Sequence, residues 1–330
     1  MTAISEFARP VVSGRRIRTA LAGALANAWR RNRPLTILGV AMIVLLGAAT
    51  IGVLVDPRVI TGAPAWLKPA KFALSTAIYS FTFVWLLTYV RGRPRLVRAL
   101  SWITAVMLGI ELIIITGAAA LGTTSHFNVS TGLHAALWAT MASAIVATWT
   151  ANLGLGLLLL RQRFADRAFA WSLRLGVAIS ALGMGVAFFM TGPTAEQLAG
   201  ARSGAGLTTV GAHSVGVADG GPGLPVVGWS TVGGDLRVAH FIGLHGLQVL
   251  PLLGLVLSRF GPAWLRPGHR TGLVWTAGLA YLGIVALTTW QALRGQPLVG
   301  PDALTLTAAA ALAVATVAAT VGILTHARRI

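Results

Sequence analysis

Residues 35–55 read LTILGVAMIVLLGAATIGVLV, twenty-one consecutive positions without a charge, set between Arg33 and Asp56. At ~1.5 Å of rise per residue, a helix of this length matches the ~30 Å hydrocarbon core of a bilayer. Working outward, runs of the same kind recur at roughly 72–90, 100–121, 133–160, 169–190, 236–258, 272–293 and 303–325. The expected fold is therefore all-α, a polytopic bundle of eight transmembrane helices. Composition agrees: the 330 residues are 55% hydrophobic and 10% charged, with mean hydropathy +0.77, where soluble chains carry about 25% charged residues. A soluble enzyme, a coiled coil and a disordered chain are excluded. The chain has no cysteine, which removes disulfides, thiolate metal sites, iron–sulfur clusters and cysteine nucleophiles.

The net charge of +18 would indicate a nucleic-acid partner if it lay on one folded face. Instead the basic residues alternate with the spans. Arg9, Arg15, Arg16, Arg18, Arg30, Arg31 and Arg33 precede the first span. Arg91, Arg93, Arg95 and Arg98 follow the second, Arg161, Arg163, Arg167 and Arg174 the fourth, Arg259, Arg266 and Arg270 the sixth, and Arg328 and Arg329 end the chain. These stand against Glu6 and Asp166, whereas the intervening segments nearly balance six basic residues with five acids. The positive-inside rule then puts both termini in the cytoplasm and leaves no nucleic-acid surface. Two regions are expected. Residues 1–34 form a basic segment in which Ile17, Leu21, Leu25 and Ala28 recur at helical spacing, an anchor for the anionic inner leaflet. Residues 35–330 form the transmembrane domain, without an internal repeat. Its outer loop at 191–235 holds twelve glycines and reads as turn-rich coil, either a flexible flap or a lid. The Arg/Ala/Gly-rich composition points to a bacterial protein of the inner (plasma) membrane.

Ionisable side chains inside a bilayer mark function by default. Glu111 lies about ten residues into the third span and His245 at a similar depth in the sixth, so the pair is expected at mid-bilayer as catalytic acid and base. His134 and His240 lie just inside the outer surface, His126 in a short outer loop and His213 in the long one. His269 and His326 sit among the inner arginines. Five of seven histidines thus gather toward the outer half. His134 and His240 are candidate axial ligands of a non-covalent b-type haem, with Gly132 and Gly243 leaving room for a flat ring. Lys68, Lys71, Arg237 and Arg294 are candidate partners for its propionates. His126, His134 and His240 are candidate metal ligands, although the HxxxH and HExxH spacings of zinc enzymes are absent. Lys68 and Lys71 are the only lysines in the chain and stand in Trp66-Leu-Lys-Pro-Ala-Lys-Phe72. Trp66, Asp235, Gln248 and Gln291 complete the expected pocket. The leading expectation is a membrane oxidoreductase or cofactor-binding protein holding haem. The alternatives are a metal- or acid/base-dependent enzyme on a lipophilic substrate, a proton-coupled carrier using Glu111 and His245, and a structural subunit whose polar groups only join helices. The expected partners are the lipid bilayer and a lipophilic or anionic small molecule.

Overall fold

The computed structural model describes residues 14–204 and 206–329, with side chains from residue 18 onward. Arg9 and the side chains of Arg15, Arg16 and Ile17, invoked above for the N-terminal segment, lie outside the described residues. In chain order the helices are α1 (Gly14–Arg31), α2 (Arg33–Val55), α3 (Leu67–Leu86), α4 (Pro94–Leu121), α5 (Gly132–Leu160), α6 (Arg167–Val186), α7 (Phe188–Thr191), α8 (Ala195–Arg202), α9 (Leu236–Phe260), α10 (Pro267–Leu293) and α11 (Ala303–Arg329). Among the described residues, eight helical segments are long and apolar enough to cross a membrane, and their positions match the eight runs read from the sequence.

Several boundaries have a local cause. Asn32 opens α2 by accepting a hydrogen bond from the Leu35 N–H, with Pro34 in the first turn, where its missing donor costs nothing. Thr131, Asp166 and Asp235 cap α5, α6 and α9 in the same way. The most extensive helix pair is α6 with α9, followed by α2 with α3 and α4 with α5; α10 packs on α6 and α9, and α11 mainly on α10. One apolar core joins Leu35, Phe83, Leu155, Leu159 and Leu173 near the arginine-rich end; another joins Phe127, Val186, Met190 and Leu236 at the opposite end. Large apolar side chains are exposed along the outward faces, among them Ile43, Val44, Leu252, Val314, Val317 and Val321, as a lipid-facing surface requires. In α1, Ala28 packs against the core while Leu21, Leu25 and Trp29 stay exposed.

The structure is nearly all-α, and the outer loop is folded where coil was expected. Among the described residues, two short antiparallel pairs are present: β1 (Val59–Ile60) with β2 (Ala63–Pro64), and β3 (Ser214–Val215) with β4 (Gly234–Asp235). The glycine-rich segment is a folded cap. It contains α8, whose start is a capping box between Thr194 and Gln197, a signature that the glycine content masked. Gln197 also bonds the backbone of Gly211 in both directions. Bridges from Asn128 to Thr209 and from Gly223 to Ser230 fasten the rest.

Candidate functional site

The site lies beneath the cap and starts from a chain reversal. α4 ends at Gly122, and the segment up to Thr131 folds back over the bundle. At Phe127 the backbone is left-handed, φ 63°, a conformation that costs a non-glycine residue about 1–2 kcal/mol. Burial of the ring offsets the strain, with Trp138 at 5.0 Å and His213 at 4.8 Å. Gly211 provides the room: a Cβ there would fall 2.7 Å from the Phe127 ring and 2.5 Å from the Met190 carbonyl oxygen.

The reversal turns His126 into the interior, where its side chain is 16% exposed. Lys68 Nζ, at the start of α3, stands 3.1 Å from His126 Nδ1, and His126 Nε2 stands 3.4 Å from Glu111 Oε1 on α4. An ammonium can only donate, so Nδ1 accepts, and the single proton of a neutral ring sits on Nε2, facing the carboxylate. Ser125 Oγ also lies 3.1 Å from Nδ1. Glu111 is 2% exposed, and its Oε2 has no hydrogen-bond partner.

His213 faces the His126 ring at 6.2 Å between centroids, and its Nδ1 is 2.7 Å from Asp219 Oδ2. Asp219 also accepts from the backbone N–H groups of His213 and Ser214. Burial, then the Lys68 ammonium and His213, hold the His126 imidazole well below its ordinary value of 6.5. Burial also lowers His213, against the pull of Asp219. Asp219 stays below the usual carboxylate range: burial works against it, and the His213 and Ser214 hydrogen bonds prevail.

Both rings are thus neutral near pH 7. An unfolded imidazole takes up a proton near 6.5, so below that pH the unfolded chain binds more protons than the fold. The stability these rings contribute is complete above ~6.5 and is lost as pH falls through it. Moving from about pH 7.5 to about pH 5 should therefore loosen the cap, read as faster proteolytic nicking within 196–232. A nicking rate that does not change with pH would remove these two imidazoles as the cap's acid-sensitive elements.

Two other cations grip the cap. Lys71 Nζ donates to the Val227 carbonyl at 3.0 Å. Arg237 donates to the Gly228 carbonyl at 2.6 Å and pairs with Asp235 Oδ2 at 2.6 Å. Asp235 in turn accepts from the Ser230 N–H at 2.8 Å.

The remaining expected residues lie elsewhere. His245 is exposed on α9 and is not in contact with Glu111, whose imidazole partner is His126. His134 sits in the first turn of α5, its Nδ1 2.9 Å from Thr131 Oγ1. His240 Nδ1 donates to the Gly183 carbonyl at 2.8 Å, at the α6–α9 crossing. No contact among the described residues joins His134 to His240. Arg294 pairs with Asp302 at 2.5 Å and stacks on Trp290, while Gln291 donates to the Pro297 carbonyl. Together they staple α10 to the turn before α11. Trp66 Nε1 donates to Asp56 at 2.7 Å, and Gln248 reaches Thr82 Oγ1 at 3.4 Å. No cluster of three or more His, Asp or Glu side chains suited to a metal ion occurs among the described residues.

Ser125, His213 and Asp219 were not among the expected site residues. Beyond the grouping of His213 with the other outer histidines, the available signal was the six-residue spacing from His213 to Asp219 inside a glycine-rich loop, which is silent until the loop is known to fold. Set against family models, curated protein sequences and solved structures, the chain matches none of them.

Proposed function

We propose that the chain is a multi-pass protein of a bacterial plasma membrane with both termini inside, and that it couples passage of a small organic anion to a proton through Lys68, His126 and Glu111. The orientation follows from the arginine distribution. The observation that carries the coupling is the two-sided engagement of one imidazole, with an ammonium on Nδ1 and a buried carboxylate on Nε2. A proton moves from Lys68 onto Nδ1 as the Nε2 proton passes to Glu111. The lysine becomes neutral, the carboxylate becomes an acid, and the ring regains its neutral charge without rotating. The reverse transfer resets the site. An anionic substrate is read from Lys71 and Arg237, cations whose present partners include the Val227 and Gly228 carbonyls; a carboxylate or phosphate entering below the cap would take those places.

The test uses purified protein in liposomes that enclose a pH dye, challenged from outside with lactate, citrate and glycerol phosphate. At least one anion should drive proton movement, and Glu111→Gln should reduce it by at least about tenfold, a barrier change of about 1.4 kcal/mol. Equal flux in the variant, or none with any anion, sinks the carrier. The haem reading, with His134 and His240 as ligands, is decided in the same preparation by the presence or absence of a Soret band.

A further inference from the structure

A seam of buried polar side chains runs from Glu111 through the bundle below this site. On α4, Ser101 and Thr104 share one face with Glu111, all 2% exposed or less. On α5, Thr148 and Asn152 stand one turn apart and are 5% and 6% exposed. Tyr79 of α3 donates its hydroxyl to Asn152 Oδ1 and lies beside Thr104. Toward the arginine-rich end, Asn32 Nδ2 donates to Ser101 Oγ at 2.8 Å.

Several of these atoms lack partners. Thr36, Thr82, Thr140, Thr150 and Thr276 satisfy their hydroxyls on the carbonyl one turn back. Thr104 and Thr148 do not, and Asn152 Nδ2, Gln248 Oε1 and Glu111 Oε2 are equally unpartnered. Each orphan costs about 1–3 kcal/mol if left dry. Asn152 and its partner Tyr79 also border a cavity of about 100 Å³ whose walls, apart from these two and Ser180, are apolar, among them Phe83, Val177 and Leu247. Water in it sits at the polar edge formed by Tyr79, Asn152 and Ser180, because polar groups retain buried water and apolar walls do not.

We propose that an internal chain of water fills this seam, from Glu111 Oε2 past Thr104, Thr148 and the Tyr79–Asn152 pair to Ser101 and Asn32. Thr104 lies seven residues below Glu111, ~10 Å along the axis, a gap closed by about three waters at hydrogen-bond spacing. The chain is inferred from the orphan atoms alone. Its use as the route by which Glu111 exchanges protons with the arginine-rich side rests on the relay proposed above.

Radiolytic hydroxyl labelling of the full chain in lipid nanodiscs, read by mass spectrometry, tests it, because labelling inside a protein requires water at the side chain. Tyr79 should label about tenfold more than Phe169, a ring buried in the apolar core away from the cavity. The combination Thr104→Val and Thr148→Val removes two orphan hydroxyls, so the protein should melt no lower than wild type while Tyr79 labelling drops toward the Phe169 level. If that pair fails to fold, Thr148→Val alone should still reduce the labelling. Equal labelling of Tyr79 and Phe169, or labelling that survives these substitutions, overturns the water chain. Labelling that persists in a protein whose flux ignores Glu111→Gln supports the water and leaves the relay alone as the failure.

Discussion

Lys68→Met should lower the unfolding free energy by about 3 kcal/mol, Glu111→Leu by a similar amount, and the two together by clearly less than their sum. The expectation comes from burial. Glu111 is enclosed on α4, and the charge that answers it lies beyond a neutral imidazole, on Lys68. Removing either end leaves the other charge in a low-dielectric interior with a neutral ring for company; removing both leaves apolar groups of similar size around His126. Unfolding in mixed micelles, followed by the fluorescence of the eleven tryptophans, gives all three values. Strict additivity would mean that the two charges do not sense each other through His126, and the relay would lose its physical basis.

A penalty at least as large is expected at the α6–α9 crossing. A Cβ on Gly243 would sit 2.5 Å from the Gly183 Cα, and one on Gly183 would sit 2.6 Å from the Gly243 Cα. The backbones touch here, as small residues permit in membrane bundles, and neither can yield without separating the helices. Gly243→Val should cost about 3 kcal/mol or more. Gly109→Val is the control: a Cβ at Gly109 meets nothing within 4 Å, and the change should stay within about 0.5 kcal/mol. Comparable losses at the two positions would show that helix propensity rather than backbone contact sets the cost. The crossing also holds His240 through the Gly183 carbonyl, so the first substitution should disturb the cap end as well as overall stability.

Parts of the site could be read in advance. Lys68 stood out because a chain this rich in arginine keeps only two lysines, and Glu111 because a carboxylate inside a span is costly. The partner of Glu111 could not be read. Depth along a helix is one coordinate, and it matched Glu111 with His245. Direction around the axis is another, and His245 faces away. His126 looked like a surface residue because a loop between spans is normally outside; the left-handed turn at Phe127 brings it in. The His213–Asp219 pair was hidden for a similar reason, since turn-forming glycines indicate where a chain bends and nothing about what the bends enclose.

The number and order of apolar helices, the arginine-rich end and the polar character of the opposite end followed from the sequence by itself, because span length and charge density are properties of consecutive residues and need no partner. Which imidazole meets the buried acid, which cations grip the cap, and which hydroxyls are left facing an internal seam were decided only in three dimensions. Those outcomes depend on helix rotation and loop re-entry, and these are set by contacts between distant residues such as Gly183 with Gly243, Phe127 with His213, and Arg237 with the cap backbone.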